Sequence, residues 1–479
     1  MVSIVTGTMS KNLKWLFLML GIMLVTRLGI WLAYGLNEML FLQPDSHDYV
    51  FLGKQLFAEG LFPSLSRTPV YPAFVGFLGV VLGFDVKTII LVQIAVSILT
   101  GCLAWRILKR IRSDLSDTAE GARHGNVFII FALIFGLDFV SAQGANYLLS
   151  ETFFTFLVLV AVNLVIDIKQ QRSDSWAKGG LCGLVLGLAI LCRPIAIFLP
   201  MVVVVWGVLQ PTTQGHDKQK AFGFYQLGVF ALVFVLGMSS AVLWMVRNYD
   251  RTGEVFLTTI SSINLYEYRA AWNIAYRDDR PFNEVQTEFR ENKSAIQRDL
   301  NLNEGEVAKR MGSEGLDLIR QTPVETMIQG GLGFLRLYFG VFSSAIDVLF
   351  RVLGSGNQAP GTLEATWVVK ILVLCHLVIT YFGIALLLIS RFNDEKRPGE
   401  SRWQGGMARA LTGNSILLFC GLVIGYFTVL SVGIEAYARF RIPIMPLLAI
   451  LAALGWSRLP GLVSHWRQAN GDDSALSGV

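Results

Sequence analysis

The 479-residue sequence is poor in charge, since Asp, Glu, Lys and Arg make up only 16% of it. Soluble globular domains carry roughly a quarter of such residues, so the deficit excludes an ordinary soluble protein. Hydrophobic residues make up 53%, and many apolar runs reach the ~20 residues that a helix needs to cross a bilayer. Lipid offers no partners to backbone polar groups, so spanning segments must be helical. The composition therefore predicts an all-α polytopic membrane protein.

Cysteine is scarce, and long basic runs are absent. The net charge of +5 is explained by lysines and arginines in predicted cytoplasmic loops. Without a long basic run, no nucleic-acid partner is expected. The cysteines all lie in apolar runs, with no spacing typical of a disulfide framework or a metal site. They are Cys102, Cys182, Cys192, Cys375 and Cys420.

Ten apolar runs are predicted to be membrane helices, and two further runs are ambiguous. The ambiguous runs are 69–84, which contains two prolines near its start, and 329–350. The ten predicted spans are 13–36, 87–108, 126–141, 146–168, 177–192, 195–210, 224–245, 367–390, 410–431 and 442–458.

Lysines and arginines concentrate in three loops, 109–124, 169–178 and 391–409. Short cytoplasmic loops carry such an excess, so all three are predicted to be cytoplasmic. With the N-terminus also inside, this orientation leaves no room for a span at 69–84, which is predicted to lie along the surface or to re-enter. The same reasoning applies to 329–350. We therefore expect ten spans in the inner (plasma) membrane, with both termini cytoplasmic.

This topology divides the chain into four parts. The polar stretch 247–328 is too long for an ordinary connection, and it is predicted to be a small folded or lid-like element on the outer face. Within it, Asn283 to Lys309 has the pattern of an amphipathic helix. The parts are a membrane module at 1–246 with an external loop at 37–86, the external segment 247–328, a second membrane module at 329–460, and a cytoplasmic tail at 461–479.

Four of the carboxylates at the predicted outer face are candidate site residues. Asp45 and Asp48 precede an apolar pattern that fits a helix, with Asp45 as the N-cap and Asp48 at the third position. A second reading leaves one of them free to act at the membrane surface. Asp138 and Glu151 lie at or just inside the helix ends that flank the predicted outer turn 141–147. A carboxylate there is hydrated, capping or functional.

Basic and aromatic residues accompany these acids. Arginine forms bidentate bonds with phosphate, and a lipid phosphate lies at this depth, although interfacial anchoring is the other reading. Arg27, midway along the first span, is predicted to pair with an acid inside the bundle or to reach outward. Tyr71 lies in a proline-stiffened segment and is typical of the membrane interface. The outer arginines are Arg67, Arg193, Arg247, Arg439 and Arg441.

These residues belong to six short segments spread over residues 13–458. They are Pro44 to Tyr49, Arg67 to Pro72, Leu149 to Thr152, Leu191 to Pro194, Arg247-Asn248 with Gly253, and Tyr437 to Pro443. Each segment is short, and the specific feature is their order. Together they resemble the polytopic GT-C glycosyltransferases, in particular bacterial relatives of protein O-mannosyltransferases and aminoarabinose transferases.

The resemblance implies a GT-C-like bundle that transfers a monosaccharide, with inversion, from a polyprenyl-phosphate-linked donor. The acceptor would be a hydroxyl of a glycolipid, polysaccharide or protein at the outer (periplasmic) face. The resemblance places the catalytic base on Asp45, a second catalytic acid on Glu151 and the lipid-phosphate contact on Arg67. The other residues expected to bind substrate are Asp48, Tyr71, Asp138, Arg193, Arg247, Arg439 and Arg441.

The chain departs from this family in two respects. It has no sizeable soluble C-terminal domain like that of the aminoarabinose enzymes, and Ser46 stands where several members carry a second acid. The acceptor type and metal dependence are therefore left open. No cofactor is certain from the sequence, and a divalent metal at Asp45 and Glu151 is one alternative.

Two other functions fit an apolar chain of this kind. A lipid-linked-sugar flippase or other transporter should carry its binding acids at mid-membrane, where Arg27 is the one clear charged residue. An O-antigen ligase or polymerase should carry its essential residues in one large outer loop. In this chain the acids Asp45 and Glu151 precede the long loop.

Overall fold

A computed structural model describes residues 5–35, 37–116, 126–170, 174–209, 216–341, 346, 360–394 and 415–469. In these ranges the chain is helical and contains no β-strand. Seven of its helices are long and apolar enough to cross a bilayer. The fold is therefore that of an all-α polytopic membrane protein, as predicted.

The elements are named in chain order. The α-helices are α1 Val5–Tyr34, α2 Pro44–Glu59, α3 Val70–Leu82, α4 Val86–Ser116, α5 Val127–Gly136, α6 Phe139–Ala145, α7 Glu151–Lys169, α8 Ser175–Cys192, α9 Leu199–Leu209, α10 His216–Thr252, α11 Ile260–Ile263, α12 Ala271–Arg277, α13 Phe282–Asp299, α14 Glu304–Gln321, α15 Pro323–Phe339, α16 Pro360–Asp394, α17 Ser415–Ser431 and α18 Met445–Ala469. A π-helical turn spans Asn264–Ala270, and 3-10 turns span Glu38–Phe41, Pro194–Ala196 and Ala438–Arg441.

Helices lie at all ten predicted spans. Seven of them, α1, α4, α7, α8, α10, α16 and α18, have the length and apolarity of full spans. The predicted spans 195–210 and 410–431 contain apolar helices of fewer than 18 residues. The prediction of about ten membrane helices thus holds for position, and the described parts of these two helices have 11 and 17 residues.

The remaining predicted span, 126–141, is broken. α5 and α6 meet at 53°, and Asp138 at the break accepts a hydrogen bond from Ser141 N at 2.9 Å. This bond caps α6 in the manner of a helix N-terminus. The predicted outer turn 141–147 is therefore mostly helical, and it is buried among its neighbours rather than exposed. α7 accordingly begins at Glu151, five residues later than predicted.

The two ambiguous runs form shorter helices. α3 has 13 residues and is about 20 Å long, whereas the hydrocarbon core of a bilayer is about 30 Å thick. This length agrees with the prediction that 69–84 does not span. α15 covers the first part of 329–350, and most of the rest lies outside the described residues.

α7 is the most deeply buried of the seven spans, and it carries charge at both ends. Glu151 opens it, and Asp167 near its other end binds Arg106 at 2.9 Å and also binds Arg110. Glu151 and Asp167 are about 24 Å apart along the helix axis. Of the predicted cytoplasmic stretches, those wholly or partly outside the described residues are 109–124, 169–178, 391–409 and 461–479.

The predicted external element is a set of packed helices, α11 to α15, here called the polar helical segment (residues 253–339). Small apolar clusters hold it together, which agrees with the expectation of a folded element. One cluster joins α13 and α14 to the π-helical turn, and another joins α12 to α13. Their buried members are Tyr266, Val307 and Met311 in the first and Ala271, Ala275 and Val285 in the second.

The amphipathic helix predicted from Asn283 to Lys309 is in fact two helices, α13 and α14. The Asn303 side chain accepts hydrogen bonds from Gly305 N at 2.9 Å and Glu306 N at 3.0 Å, and Glu306 Oε2 accepts from Asn303 N at 2.8 Å. This capping box starts a new helix at Glu304. Its sequence signal, an Asn followed three residues later by Glu, outweighs the continuous apolar pattern.

Replacing Asn303 by Ala should loosen the start of α14, because the orphan N–H groups of the first turn lose their acceptor. Loss of such a cap costs about 1 kcal/mol, so amides of this turn should exchange about fivefold faster. Hydrogen-exchange mass spectrometry of the detergent-purified protein measures this. Asn303→Asp, which keeps an acceptor, is the control, and equal exchange in wild type and Asn303→Ala would contradict the capping role.

Candidate functional site

The loop before α2 docks on the turn between α6 and α7. Leu148 N donates to Phe41 O at 2.9 Å, and Ser46 Oγ donates to Leu148 O at 2.8 Å. The same hydroxyl accepts a hydrogen bond from Gln43 N at 2.9 Å. These bonds hold the N-terminus of α2 against the N-terminus of α7.

The N-cap of α2 lies two residues earlier than the predicted one. Gln43 is the N-cap residue and Pro44 occupies the first helical position, where proline is favoured. Asp45 therefore lies in the first turn, and the reading of Asp45 as N-cap with Asp48 at the third position is wrong. A negative charge in this turn is favoured by the helix dipole, and the Asp45 side chain remains free to make other contacts.

α3 packs closely against α2. The two helices lie very close, since a Cβ added at Gly53 of α2 would come 2.9 Å from Gly76 N of α3. The Tyr71 ring packs edge-on against Tyr49 at 4.8 Å, and its hydroxyl donates to Gln93 Oε1 at 2.8 Å. Tyr71 is fully buried. Its position is thus one of support rather than the predicted interfacial substrate contact.

Arg67 binds both acids of α2. Its Nη2 lies 2.8 Å from Asp45 Oδ1 and 3.0 Å from Asp48 Oδ2. Its Nε donates to the same Asp48 oxygen at 3.1 Å. The guanidinium also lies 5.4 Å from the centre of the Tyr49 ring, within cation–π range. The proximity of Asp45 and Arg67 expected from the sequence is present.

Arg439 joins Asp45 to Glu151. Its Nη2 lies 3.4 Å from Asp45 Oδ2, and its Nε lies 3.6 Å from Glu151 Oε1. Arg193 Nη1 lies 2.7 Å from the same Glu151 oxygen. The guanidinium groups of Arg193 and Arg439 lie 5.6 Å and 5.5 Å from the ring centre of Phe440. Residues separated by almost 400 positions in sequence thus share one site.

The six charged residues together are called the acid–arginine cluster. Burial alone would raise the pKa of the Asp45 carboxyl, but Arg67 and Arg439 more than offset it and hold that pKa below its usual range. The formal charges of the six side chains cancel, which matters because an unpaired charge in a partly buried site is costly. The members are Asp45, Asp48, Glu151, Arg67, Arg193 and Arg439.

One carboxylate oxygen of Glu151 has no hydrogen-bond partner, whereas both carboxylate oxygens of Asp45 contact arginines. Asp45 contacts Arg67 through Oδ1 and Arg439 through Oδ2. Arg193 and Arg439 both approach Glu151 through Oε1, while Oε2 is buried without a hydrogen-bond partner. Leaving a buried acceptor unsatisfied is costly. Glu151 Oε2 is therefore the atom of the cluster where an incoming hydroxyl donor gains most.

The cluster does not suit a divalent metal in this arrangement. Asp45 and Glu151, the predicted alternative ligands, each lie within 3.6 Å of arginine nitrogens. A divalent cation would be held by several oxygen ligands and would be repelled by these guanidinium groups. Among the described residues, no group of three or more His, Cys, Asp or Glu side chains could hold a metal ion.

Asp138 and Arg247, both expected to bind substrate, serve the fold in this structure. Asp138 caps α6, as described above. Arg247 donates from Nη1 to Ser64 O at 3.0 Å and from Nη2 to Phe62 O. It therefore ties the end of α10 to the loop that leads to Arg67.

Arg441 also serves the fold. Its side chain is buried, and Nη1 donates to Leu337 O at 2.6 Å and to Tyr338 O at 2.9 Å, while Nη2 donates to Gly340 O at 3.2 Å. These carbonyls lie at the C-terminus of α15, where a positive charge is favourable. Of the two arginines that flank Phe440, Arg439 enters the cluster and Arg441 does not.

Two aromatic residues of the site were missed by the sequence reasoning. The Tyr49 ring contacts the guanidinium group of Arg67, and the Phe440 ring contacts those of Arg193 and Arg439. Each directly follows a charged residue that was singled out. That adjacency was the available signal, but a pattern alone does not tell which face of a helix or turn carries the ring.

No family model and no curated protein matches the chain. It is similar in fold to solved structures of the oligosaccharyltransferase of Archaeoglobus fulgidus. One, tethered to an acceptor peptide with the NVT sequon, has 10% identity and a TM-score of 0.46 over 98% of this chain and 52% of that chain. The AglB complex with an inhibitory peptide and a dolichol-phosphate has 11% identity and a TM-score of 0.48 over 98% of this chain and 52% of that chain. The complex with Zn and sulfate has 12% identity and a TM-score of 0.46 over 94% of this chain and 51% of that chain.

The chain therefore spans about half the length of these solved chains. The similarity is one of fold and extends along nearly the whole of this chain. At this distance it assigns neither activity nor substrate.

The contrast between Arg439 and Arg441 can be tested by stability. Arg441→Gln should lower the free energy of unfolding by about 2–4 kcal/mol, because buried carbonyls lose their charged donor. Arg439→Gln should cost about 1 kcal/mol or less, because its ion pairs are longer and partly exposed. Thermal unfolding of both variants in the same detergent measures the difference. The reverse order would contradict the assignment of Arg441 to the fold.

Proposed function

We propose that this protein transfers a monosaccharide from a polyprenyl-phosphate-linked donor to an acceptor hydroxyl at the outer face of the membrane. The observation that carries the proposal is the acid–arginine cluster, in which Glu151 Oε2 is buried without a hydrogen-bond partner while Arg193 and Arg439 contact the other oxygen of the same carboxylate. A free carboxylate oxygen suits a hydroxyl, and guanidinium groups suit a phosphate. A single displacement at a phosphate-activated sugar needs both.

The arginines would act on the leaving phosphate. When the bond between the anomeric carbon and the phosphate oxygen breaks, its electron pair stays with the phosphate, which gains negative charge. Arg67, Arg193 and Arg439 already stand together, so this charge would meet preorganised donors rather than water. Each arginine has a carboxylate partner now, so a phosphate would share these cations with the acids.

A carboxylate would accept the proton of the acceptor hydroxyl as its oxygen bonds to the anomeric carbon, with inversion. The family resemblance implies that this role belongs to Asp45. The contacts favour Glu151, because both oxygens of Asp45 are committed to arginines whereas Glu151 Oε2 has no hydrogen-bond partner. We propose that Glu151 Oε2 receives the proton while Asp45 orients Arg67 and Arg439. The step needs no further acid and no metal.

The proposed orientation puts the cluster and the polar helical segment outside and both termini in the cytoplasm. The charges at the other end of α7 support it, since Arg106 and Arg110 adjoin a loop rich in lysine and arginine, a cytoplasmic feature. The polar helical segment would select the acceptor. The acceptor would be a hydroxyl of a glycolipid, polysaccharide or protein that reaches the cluster.

A transporter of lipid-linked sugars is the second candidate, and one observation favours it. Arg27 is fully buried in the bundle, its Nη2 has no hydrogen-bond partner, and it lies within electrostatic range of Asp138. Buried charges in membrane helices commonly mark transport paths. A transporter would move the donor intact, whereas a transferase breaks the bond between sugar and phosphate.

Two substitutions separate the candidate bases. Glu151→Gln should lower kcat about 10²–10⁴-fold, because it removes the proton acceptor. Asp45→Asn should mainly raise the KM for the donor, because it disturbs Arg67 and Arg439 without removing the acceptor. Initial rates with a polyprenyl-phosphate sugar and a hydroxyl acceptor measure both effects.

Glu38→Gln, an exposed acid of the same loop whose partner is Lys87, is the matched control and should leave both constants unchanged. If Asp45→Asn abolishes transfer while Glu151→Gln retains it, Asp45 is the base, as the sequence predicted. Near-normal rates in both variants would exclude the cluster as the catalytic site.

A further inference from the structure

Arg439 lies on a loop that the polar helical segment holds in place. This loop, residues 432–441, is here called the Arg439 loop. Arg269 from the π-helical turn donates to Glu435 Oε1 from Nε at 2.9 Å and from Nη2 at 2.6 Å. Its Nη2 also donates to Val432 O at 3.2 Å. Arg336 of α15 donates to Ile434 O at 3.1 Å.

The Arg269–Glu435 pair is closely built. A Cβ at Gly433 would lie 2.8 Å from Arg269 Nη2, so a larger residue there would displace the ends of the paired side chains. Glu435 is mostly buried, and its Oε2 has no hydrogen-bond partner. Gln329 Nε2 donates to Arg269 O at 3.0 Å, which fixes the backbone from which Arg269 extends. Removing either partner would therefore leave a largely buried charge unpaired, which favours keeping the pair intact.

The location of Arg269 on a π-helical turn is informative. Such turns are uncommon and occur often at functional sites. Here the turn covers Asn264 to Ala270, and the neighbouring acid Glu267 points back into the polar helical segment, where it binds Arg290 at 3.1 Å and also binds Lys293. Arg269 therefore connects this segment to the Arg439 loop, while Glu267 connects the turn to α13.

We propose that Arg269 and Glu435 are positioning residues that set the place of Arg439 and so make the polar helical segment part of the phosphate site. Arg439 follows Glu435 by four residues and lies in a short turn that is closed by the hydrogen bond from Phe440 N to Tyr437 O at 3.0 Å. A shift of the pair would move Arg439 away from Asp45 and Glu151. The part of this proposal that concerns transfer rests on the proposed function.

The test uses the full-length protein and the variants Arg269→Gln, Glu435→Gln and their combination. Arg320→Gln is the matched control, since it removes an exposed ion pair with Asp317 within α14 that involves neither Arg269 nor Glu267. Each single variant should raise the KM for a polyprenyl-phosphate sugar about fivefold or more, with the acceptor KM unchanged. The double variant should cost no more than the larger single effect, because the two residues act as one unit.

A merely structural role would give a different result. A smaller folded fraction lowers the apparent kcat and leaves the donor KM unchanged, and that outcome in the single variants would overturn the proposal. So would an equal rise of the donor KM in Arg320→Gln, or strictly additive effects in the double variant.

Hydrogen exchange keeps this test separate from the proposed function. Amides of residues 438–442 should exchange about fivefold faster in Arg269→Gln and Glu435→Gln, but not in Arg320→Gln. If the wild type transfers no sugar, the proposed function fails, while this measurement still decides the positioning role. Unchanged exchange in both variants would overturn the inference on its own.

Discussion

The candidate site depends on the pairing of three carboxylates with three arginines at the junction of the first loop with the bundle. Glu151 is almost fully buried and Asp45 is partly so, so neither acid could remain charged without cations beside it. Arg439 is the central member, because it alone contacts both Asp45 and Glu151. The cluster is neutral as a whole, yet it keeps one oxygen, Glu151 Oε2, without a partner.

Hydrogen bonds between uncharged groups fix the positions of these charged side chains. Ser46 and Leu148 join the first loop to the start of α7, and Thr68 Oγ1 donates to Cys192 O at 3.3 Å beside Arg193. Backbone carbonyls are suited to this work because their positions follow from the helices that carry them. The polar helical segment completes the arrangement through Arg269, which reaches the loop that carries Arg439. A change distant from the cluster can therefore alter it.

The sequence was informative where composition and local signals decide the outcome. Apolar length located the membrane helices, and the acids and arginines that meet in the cluster were all among the predicted site residues. It was less informative where tertiary contacts decide, since nothing local separates Arg439 from Arg441, and only the C-terminus of α15 binds the latter. The support role of Tyr71 likewise depends on residues distant in sequence, Tyr49 and Gln93, whereas the cap that Asp138 forms at the bend of the predicted span 126–141 is local. The break between α13 and α14 had a local signal in Asn303.

The most direct measurement follows donor and acceptor together in one reaction. The purified protein is incubated with a polyprenyl-phosphate sugar and a hydroxyl acceptor, and mass spectrometry quantifies the free polyprenyl phosphate and the glycosylated acceptor. A transferase built on this cluster should release one polyprenyl phosphate for each sugar added, and Glu151→Gln should suppress both products together. Donor that crosses the membrane of a proteoliposome intact, with neither product formed across candidate sugars, would contradict the proposed transfer and favour a transporter.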